Sequence, residues 1–217
     1  MKPYLFFKRS FDLAASLIAL LILIIPCAVI ALLIKITSRG SVIFKQERLG
    51  KNGAVFFIWK FRTMVQNADR IGDGIFIKNA DDVRITKLGR FLRKTSIDEL
   101  PQLINIIRGD MSLVGPRPPL IDHPYHYHEY TNLTRRRFDM RPGITGLAQI
   151  QVRNSVSWDE RITFDVEYIN TCSFFFDLKI LFLTVGKVIR RDNVFIPEVI
   201  VTEAMEKAVT VQQTVEK

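Results

Sequence analysis

Two adjacent carboxylates, Asp98 and Glu99, stand in the string Thr95-Ser96-Ile97-Asp98-Glu99-Leu100-Pro101-Gln102, just ahead of apolar residues at helical spacing. An ionised Asp can attack phosphorus and form an acyl phosphate, which is one route of covalent catalysis. The incoming phosphate is itself an anion, so a divalent cation or arginines must offset the repulsion. Three arginines are candidates for that role: Arg62 in Lys60-Phe61-Arg62-Thr63-Met64, Arg93 just before the acidic pair, and Arg117 in Gly115-Pro116-Arg117-Pro118-Pro119. A guanidinium on a backbone stiffened by prolines loses little entropy when it grips a phosphate bidentately. A plainer reading stands beside this one. Ser96 and Glu99 match a capping box, Pro101 suits a helix start, and the two acids would then be first-turn residues favoured by the helix dipole. A helix N-terminus also holds phosphate, so both readings lead to the same segment.

His123, His126 and His128 lie within eight residues, but no cysteine or paired-ligand motif completes a zinc site around them. The run Arg135-Arg136-Arg137 reads as a headgroup-facing or solvated surface, since nothing near it resembles a nucleic-acid-binding motif.

These residues need a scaffold. Of the 217 residues, 31 are Lys or Arg and 22 Asp or Glu, a formal charge of +9 that suits an anionic partner. Cys27 and Cys172 form no metal spacing and no disulfide framework. Residues 13–34 carry no charge and as a helix would reach roughly 33 Å, enough for a bilayer core. Pro26 sits at the middle of this run, and basic residues flank it on both sides: Lys2, Lys8 and Arg9 before, Lys35, Arg39 and Lys45 after. A spanning helix remains open. A helix that bends at Ile25-Pro26 and returns to the same face satisfies the proline and the preference of basic flanks for the cytoplasm together. A cleaved signal peptide fits less well, because the run exceeds the usual length.

Beyond Gly40, residues 41–46 and 54–59 read as strands of a hairpin around Gly50-Lys51-Asn52-Gly53. The polar stretch 66–82 is expected to be a loop or frayed helix over the site. Residues 85–94, 100–108, 158–170 and 178–191 carry helical spacing, with Gly109 placed as a C-cap. Arg141-Pro142-Gly143-Ile144-Thr145-Gly146 marks a tight turn. The helix at 178–191, preceded by Phe174-Phe175-Phe176 and ending in basic residues, fits a membrane-interface helix and an ordinary core helix equally. The class is α/β in the α+β sense, mostly helical. Its expected domains are a membrane helix at 1–40, a catalytic unit at 41–196 and a peripheral tail at 197–217.

Taken together, Leu92-Arg93, the Asp98-to-Gln102 string and Asp110-Met111-Ser112-Leu113-Val114-Gly115-Pro116-Arg117-Pro118 resemble the bacterial sugar transferases, the monotopic polyprenyl-phosphate phosphoglycosyl transferases. The likeness continues in Lys8-Arg9 with Asp12, Gln46-Glu47-Arg48-Leu49-Gly50, Lys60 to Met64, Pro142 to Gly146 with Gln149, and Arg153-Asn154. It covers roughly residues 6 to 192. The resemblance implies a re-entrant helix broken at Pro26, a compact catalytic domain resting on membrane lipids through amphipathic helices, and a place at the cytoplasmic face of a bacterial inner membrane. It also implies transfer of a sugar-1-phosphate from a UDP-sugar to polyprenyl phosphate, with magnesium and no nucleic acid involved. Asp98 would be the nucleophile and Glu99 would help hold the metal or handle a proton. Lys60, Arg62, Arg93 and Arg117 would contact phosphate or nucleotide, with Asp165 a supporting acid. Two positions depart from relatives: Ser41 follows Gly40 where many have proline, and Ile25 precedes Pro26 where some have serine. The chain is expected to be the minimal catalytic form. Rival readings are a glycosyltransferase that releases UDP and a membrane-anchored basic scaffold.

Overall fold

The computed structural model describes residues 4–68, 71, 82–152 and 156–190. The expected tail at 197–217, most of the polar stretch at 66–82, and Arg153-Asn154 lie outside the described residues.

The uncharged run forms the middle of one helix, α1 (Tyr4–Thr37), whose 34 residues reach roughly 51 Å. By length and composition it is apolar enough to cross a membrane. One stripe faces the rest of the protein: Lys8, Asp12, Ser16 and Ile34 are buried, while Ala19, Leu23, Cys27, Ile30 and Ala31 pack against core clusters. Those positions recur every three or four residues, the spacing of a single helical face. The remaining surface is exposed and apolar, with Leu21, Ile22 and Ile25 each at least 70% exposed. The helical backbone continues through Pro26, where the sequence predicts a break. Proline removes one backbone hydrogen bond and commonly kinks a helix without ending it, and here the packed stripe runs on from Leu23 to Cys27 and Ile30.

Strands β1 (Ile43–Leu49) and β2 (Val55–Phe61) pair antiparallel in the register Ile43↔Phe61 to Leu49↔Val55. Both run further than expected, because alternation persists through Arg48 and Lys60. The connection turns at Asn52, whose left-handed φ of 56° suits a short polar side chain. Helix α2 (Lys87–Lys94) starts at Thr86, whose hydroxyl accepts from the Gly89 N–H. A Cβ at Gly89 would stand 1.9 Å from the Thr63 carbonyl, so only glycine lets this helix lie against the end of the hairpin. Helix α3 (Gln102–Arg108) ends at Gly109 in the left-handed conformation, as expected.

The segment read as a tight turn at 141–146 is instead a strand, β4 (Gly143–Thr145), paired in parallel with β3 (Ser112–Val114). The two backbones approach so closely that a Cβ on Gly143 would lie 2.1 Å from the Gly115 nitrogen. Glycine here serves proximity, a use that breaker residues conceal in a sequence. Short helices α4 (Asn132–Arg135) and α5 (Leu147–Gln151) lead to α6 (Trp158–Thr171), which opens on a Ser157/Glu160 capping box. Helix α7 (Phe174–Arg190) begins earlier than expected, since the Ser173 hydroxyl accepts from the Phe176 N–H and starts it. Of α7 only Asp177 and Ile180 are buried, and Phe175 and Phe182 are more than 80% exposed. These exposed aromatics give α7 an apolar face that the described residues do not cover.

The architecture is thus mostly helical, with, among the described residues, two two-stranded sheets and one long apolar N-terminal helix. Val114, Leu147, Tyr168 and Ile180 centre the main core, joining β3, α5, α6 and α7.

Candidate active site

Asp98 and Glu99 lie on a 3-10 turn, Ile97–Glu99, that precedes α3. The expected capping box does not form. Ser96 takes a left-handed conformation (φ 55°, ψ 16°) rather than the extended one of an N-cap, and makes no side-chain cap. Glu99 cannot reach back, because Lys60 Nζ holds its Oε1 at 2.5 Å. Helix α3 itself spans only seven residues and starts at Gln102, so side chains, not a helix dipole, arrange the charges here.

Asp98 is buried, at 8% exposure, and its pKa is raised to about 6. Burial is the chief cause; Lys60 pulls the other way, neighbouring Glu99 pushes up, and Arg93 pulls down. Glu99 is likewise pushed up by burial, but Lys60, Arg117 and Arg48 outweigh that and bring it below the usual range. One carboxyl of the pair is therefore the readier to hold a proton, and the other stays charged.

Lys60 reaches the pair because β2 is clamped to α3 by Asn105, a fully buried residue. Its Oδ1 accepts from the Trp59 N–H at 3.0 Å and its Nδ2 donates to the Phe57 carbonyl at 2.7 Å. Arg93, near the end of α2, donates from Nε to the Thr63 hydroxyl at 2.8 Å and is close enough to both acids to be biased by them. Arg117 follows β3 and its field reaches Glu99. Arg62 is placed differently: its Nη2 donates to the Ser38 carbonyl and hydroxyl, each at 2.8 Å, tying the end of α1 to β2.

Asp165, on α6, forms a buried ion pair with Arg137 at 2.7 Å, both side chains 1% exposed. Burial pushes the Asp165 pKa to about 6, against the pull of Arg137. This corrects the reading of Arg135-Arg136-Arg137 as a surface run: Arg137 is interior, and its Nη2 also donates to the Arg117 carbonyl at 2.8 Å. Arg161 stacks 5.0 Å from the Trp158 ring. Arg48 donates to the Pro118 carbonyl at 3.0 Å. Burial, then the nearby Arg117, lowers the pKa of both Arg48 and Arg161 to about 10. Arginines thus crowd around the Pro-Arg-Pro segment in excess of the acids facing them, a surplus that an anionic ligand would relieve. Sequence reasoning named Arg117 and Asp165, quoted Arg48 only within a family string and Arg137 only within a basic run, and missed Asn105 and Arg161. For Arg48 and Asn105 the signal lies in contacts 70 and 46 residues apart, for Arg161 in its place near Arg117, and for Arg137 inside a run that resembles a solvated patch.

The Asp98 and Glu99 carboxylates supply hard oxygen ligands, and no side chain among the described residues donates to the Asp98 carboxylate. That suits magnesium, which keeps most of its water and binds through one or two carboxylates. No group of three potential metal-ligating side chains occurs among the described residues. His123 instead packs edge-to-face on Trp158, and His126 stacks on His128.

A family model described as "Bacterial sugar transferase" matches residues 3–191. The chain is 46% identical over 191 residues to the "uncharacterized sugar transferase EpsL" of Bacillus subtilis (strain 168), covering 86% of this chain and 89% of that protein. It is 44% identical over 187 residues to the "UDP-glucose:undecaprenyl-phosphate glucose-1-phosphate transferase" of Escherichia coli (strain K12), covering 83% of this chain and 39% of that protein. It is 39% identical over 204 residues to the "undecaprenyl-phosphate galactose phosphotransferase" of Salmonella typhimurium, covering 88% of this chain and 42% of that protein.

Proposed function

The chain belongs to the bacterial sugar transferase family, and from that membership we propose that it transfers a sugar-1-phosphate from a UDP-sugar to polyprenyl phosphate at the cytoplasmic face of a bacterial inner membrane. The observation that carries this reading is the buried Asp98 beside Glu99, Lys60 and Arg93, with arginines in excess around Arg117. The named activities of the E. coli and Salmonella relatives support it.

In the first step the Asp98 carboxylate attacks the phosphorus that bears the sugar. The P–O bond to the other phosphate breaks and UMP departs with that electron pair, leaving an aspartyl phospho-sugar. In the second step an oxygen of polyprenyl phosphate attacks the same phosphorus and expels the carboxylate, giving polyprenyl-diphosphate-sugar. Lys60 fixes Glu99 beside Asp98, Arg93 biases Asp98 toward its ionised form, and Arg117 engages the donor's phosphates. Magnesium bound through Asp98 and Glu99 would offset the charge of the incoming diphosphate.

The membrane reading is that α1 enters one leaflet and returns. What supports it is that both ends of α1 are bonded to the same domain, Lys8 through Asp177 of α7 at 2.6 Å and Ser38 through Arg62 of the β2 segment.

The test is intact-protein mass spectrometry after brief exposure to UDP-sugar and magnesium without acceptor. We expect UMP release and a gain of one phospho-sugar mapped to Asp98, both lost in Asp98→Asn. An adduct on another residue, or UMP that appears only once acceptor is added, overturns the nucleophile assignment; release of UDP favours the glycosyltransferase rival.

A further inference from the structure

One turn of the membrane helix touches the far ends of the two elements that carry the active site. Arg9 Nη1 donates to the Ile106 carbonyl at 2.7 Å and Nη2 to the Ile107 carbonyl at 3.3 Å, in the last turn of α3. Asp12, 2% exposed, accepts from the Ser112 hydroxyl at 2.6 Å and from the Leu113 N–H at 3.3 Å, at the start of β3. Going the other way along each element, α3 leads back to Asp98 and Glu99, and β3 leads on through Gly115-Pro116 to Arg117. The carboxylate pair and the arginine thus sit at the free ends of two short arms whose roots are held by residues three apart on one helix.

The roots are rigid. Both oxygens of Asp12 are engaged on β3, and Lys8 lies 3.8 Å from Oδ1. The Ser112 hydroxyl also lies 3.0 Å from the Val114 carbonyl, and β4 fixes β3 from the other side. Neither Arg9 nor Asp12 belongs to the chemistry proposed above. An aspartate this buried depends on its partners, which are Lys8 on its own helix and, on the other side, Ser112 and Leu113 of the strand that leads on to Arg117.

We infer that Arg9 and Asp12 are positioning residues, which set the separation between the Asp98-Glu99 pair and Arg117 from inside the membrane helix. The inference rests on the function proposed above. On it, the step with the water-soluble donor depends on how α1 is held, although that step needs no lipid. A shift at the roots moves the arm tips relative to each other, and phosphoryl transfer tolerates little misplacement of charge.

The experiment measures acceptor-free UMP release by the full chain in lipid nanodiscs for wild type, Asp12→Ala, Ser112→Ala, Arg117→Lys, and Arg117→Lys combined with each of the first two. Asp12→Ala should lower the rate constant about tenfold at saturating donor, Ser112→Ala by less, with membrane flotation unchanged. Because Asp12 acts through Arg117, Asp12→Ala with Arg117→Lys should be no more than about twofold slower than Arg117→Lys alone. Ser112→Ala, which removes one hydroxyl, keeps the test open if Asp12→Ala does not fold. Losses that multiply, or full activity of both single variants, overturn the inference while leaving the function intact. A wild-type protein that releases no UMP strikes the function itself.

Discussion

In the proposed route Asp98 must be ionised to attack, and burial raises its pKa to about 6. The protonated, inactive form of the metal-free site therefore gains as pH falls through that value, and kcat/KM for the donor should fall on the acid side, at a pH that magnesium on the carboxylates lowers. Following UMP release over a range of about pH 5 to 8 checks this; a flat acid limb would mean that Asp98 is not the group that titrates. Asp165 makes a different demand. Its partner Arg137 is fully interior, so Asp165→Asn leaves a buried cation unmatched and should cost about 3 to 5 kcal/mol. Thermal unfolding should register this as a Tm lower by roughly 10 °C. At this scale the sequence revealed the residues whose neighbours in the chain are themselves unusual. Asp98-Glu99 and Arg117 between prolines stood out in this way, whereas Asn105 has nothing around it to mark it, and its clamp on β2 exists only once α3 and β2 are packed.

The elements were legible wherever periodicity ran long. Helices α3 and α6 fall close to their expected bounds, α1 extends the uncharged run at both ends, and the hairpin was visible from its turn. Strand β4 escaped because three residues give no alternation to detect, and its glycines look like breakers. The ambiguity over α7 was genuine, since periodicity states that a helix has an apolar face and not what covers it. Its exposed face yields a prediction. Phe175 and Phe182 each bury an aromatic side chain on membrane contact, worth about 2 kcal/mol. Replacing both by serine should shift the protein markedly toward the unbound fraction in vesicle flotation, while unfolding in detergent changes little. Undiminished flotation would remove α7 from the membrane contact.

For the whole molecule, the main expectation concerns sidedness. With Cys27 and Cys172 replaced, single cysteines introduced at Ser10 and Ser41, both exposed, should be protected from a membrane-impermeant thiol reagent added to intact cells, and labelled after lysis. Labelling of either one from outside rules out a helix that returns to the same face. The relation between α1 and the rest could not be read from the chain, because Arg62 with Ser38 and Lys8 with Asp177 join residues 24 and 169 positions apart.

That double attachment has a physical corollary. On the proposed reading, in which α1 returns to the face it entered, the protein needs only a single layer of acyl chains to receive that helix. It should therefore insert into a phospholipid film spread at an air–water surface, raising the lateral pressure, and settle on the coat of an oil droplet, where a protein with domains on two sides has no second aqueous phase to enter.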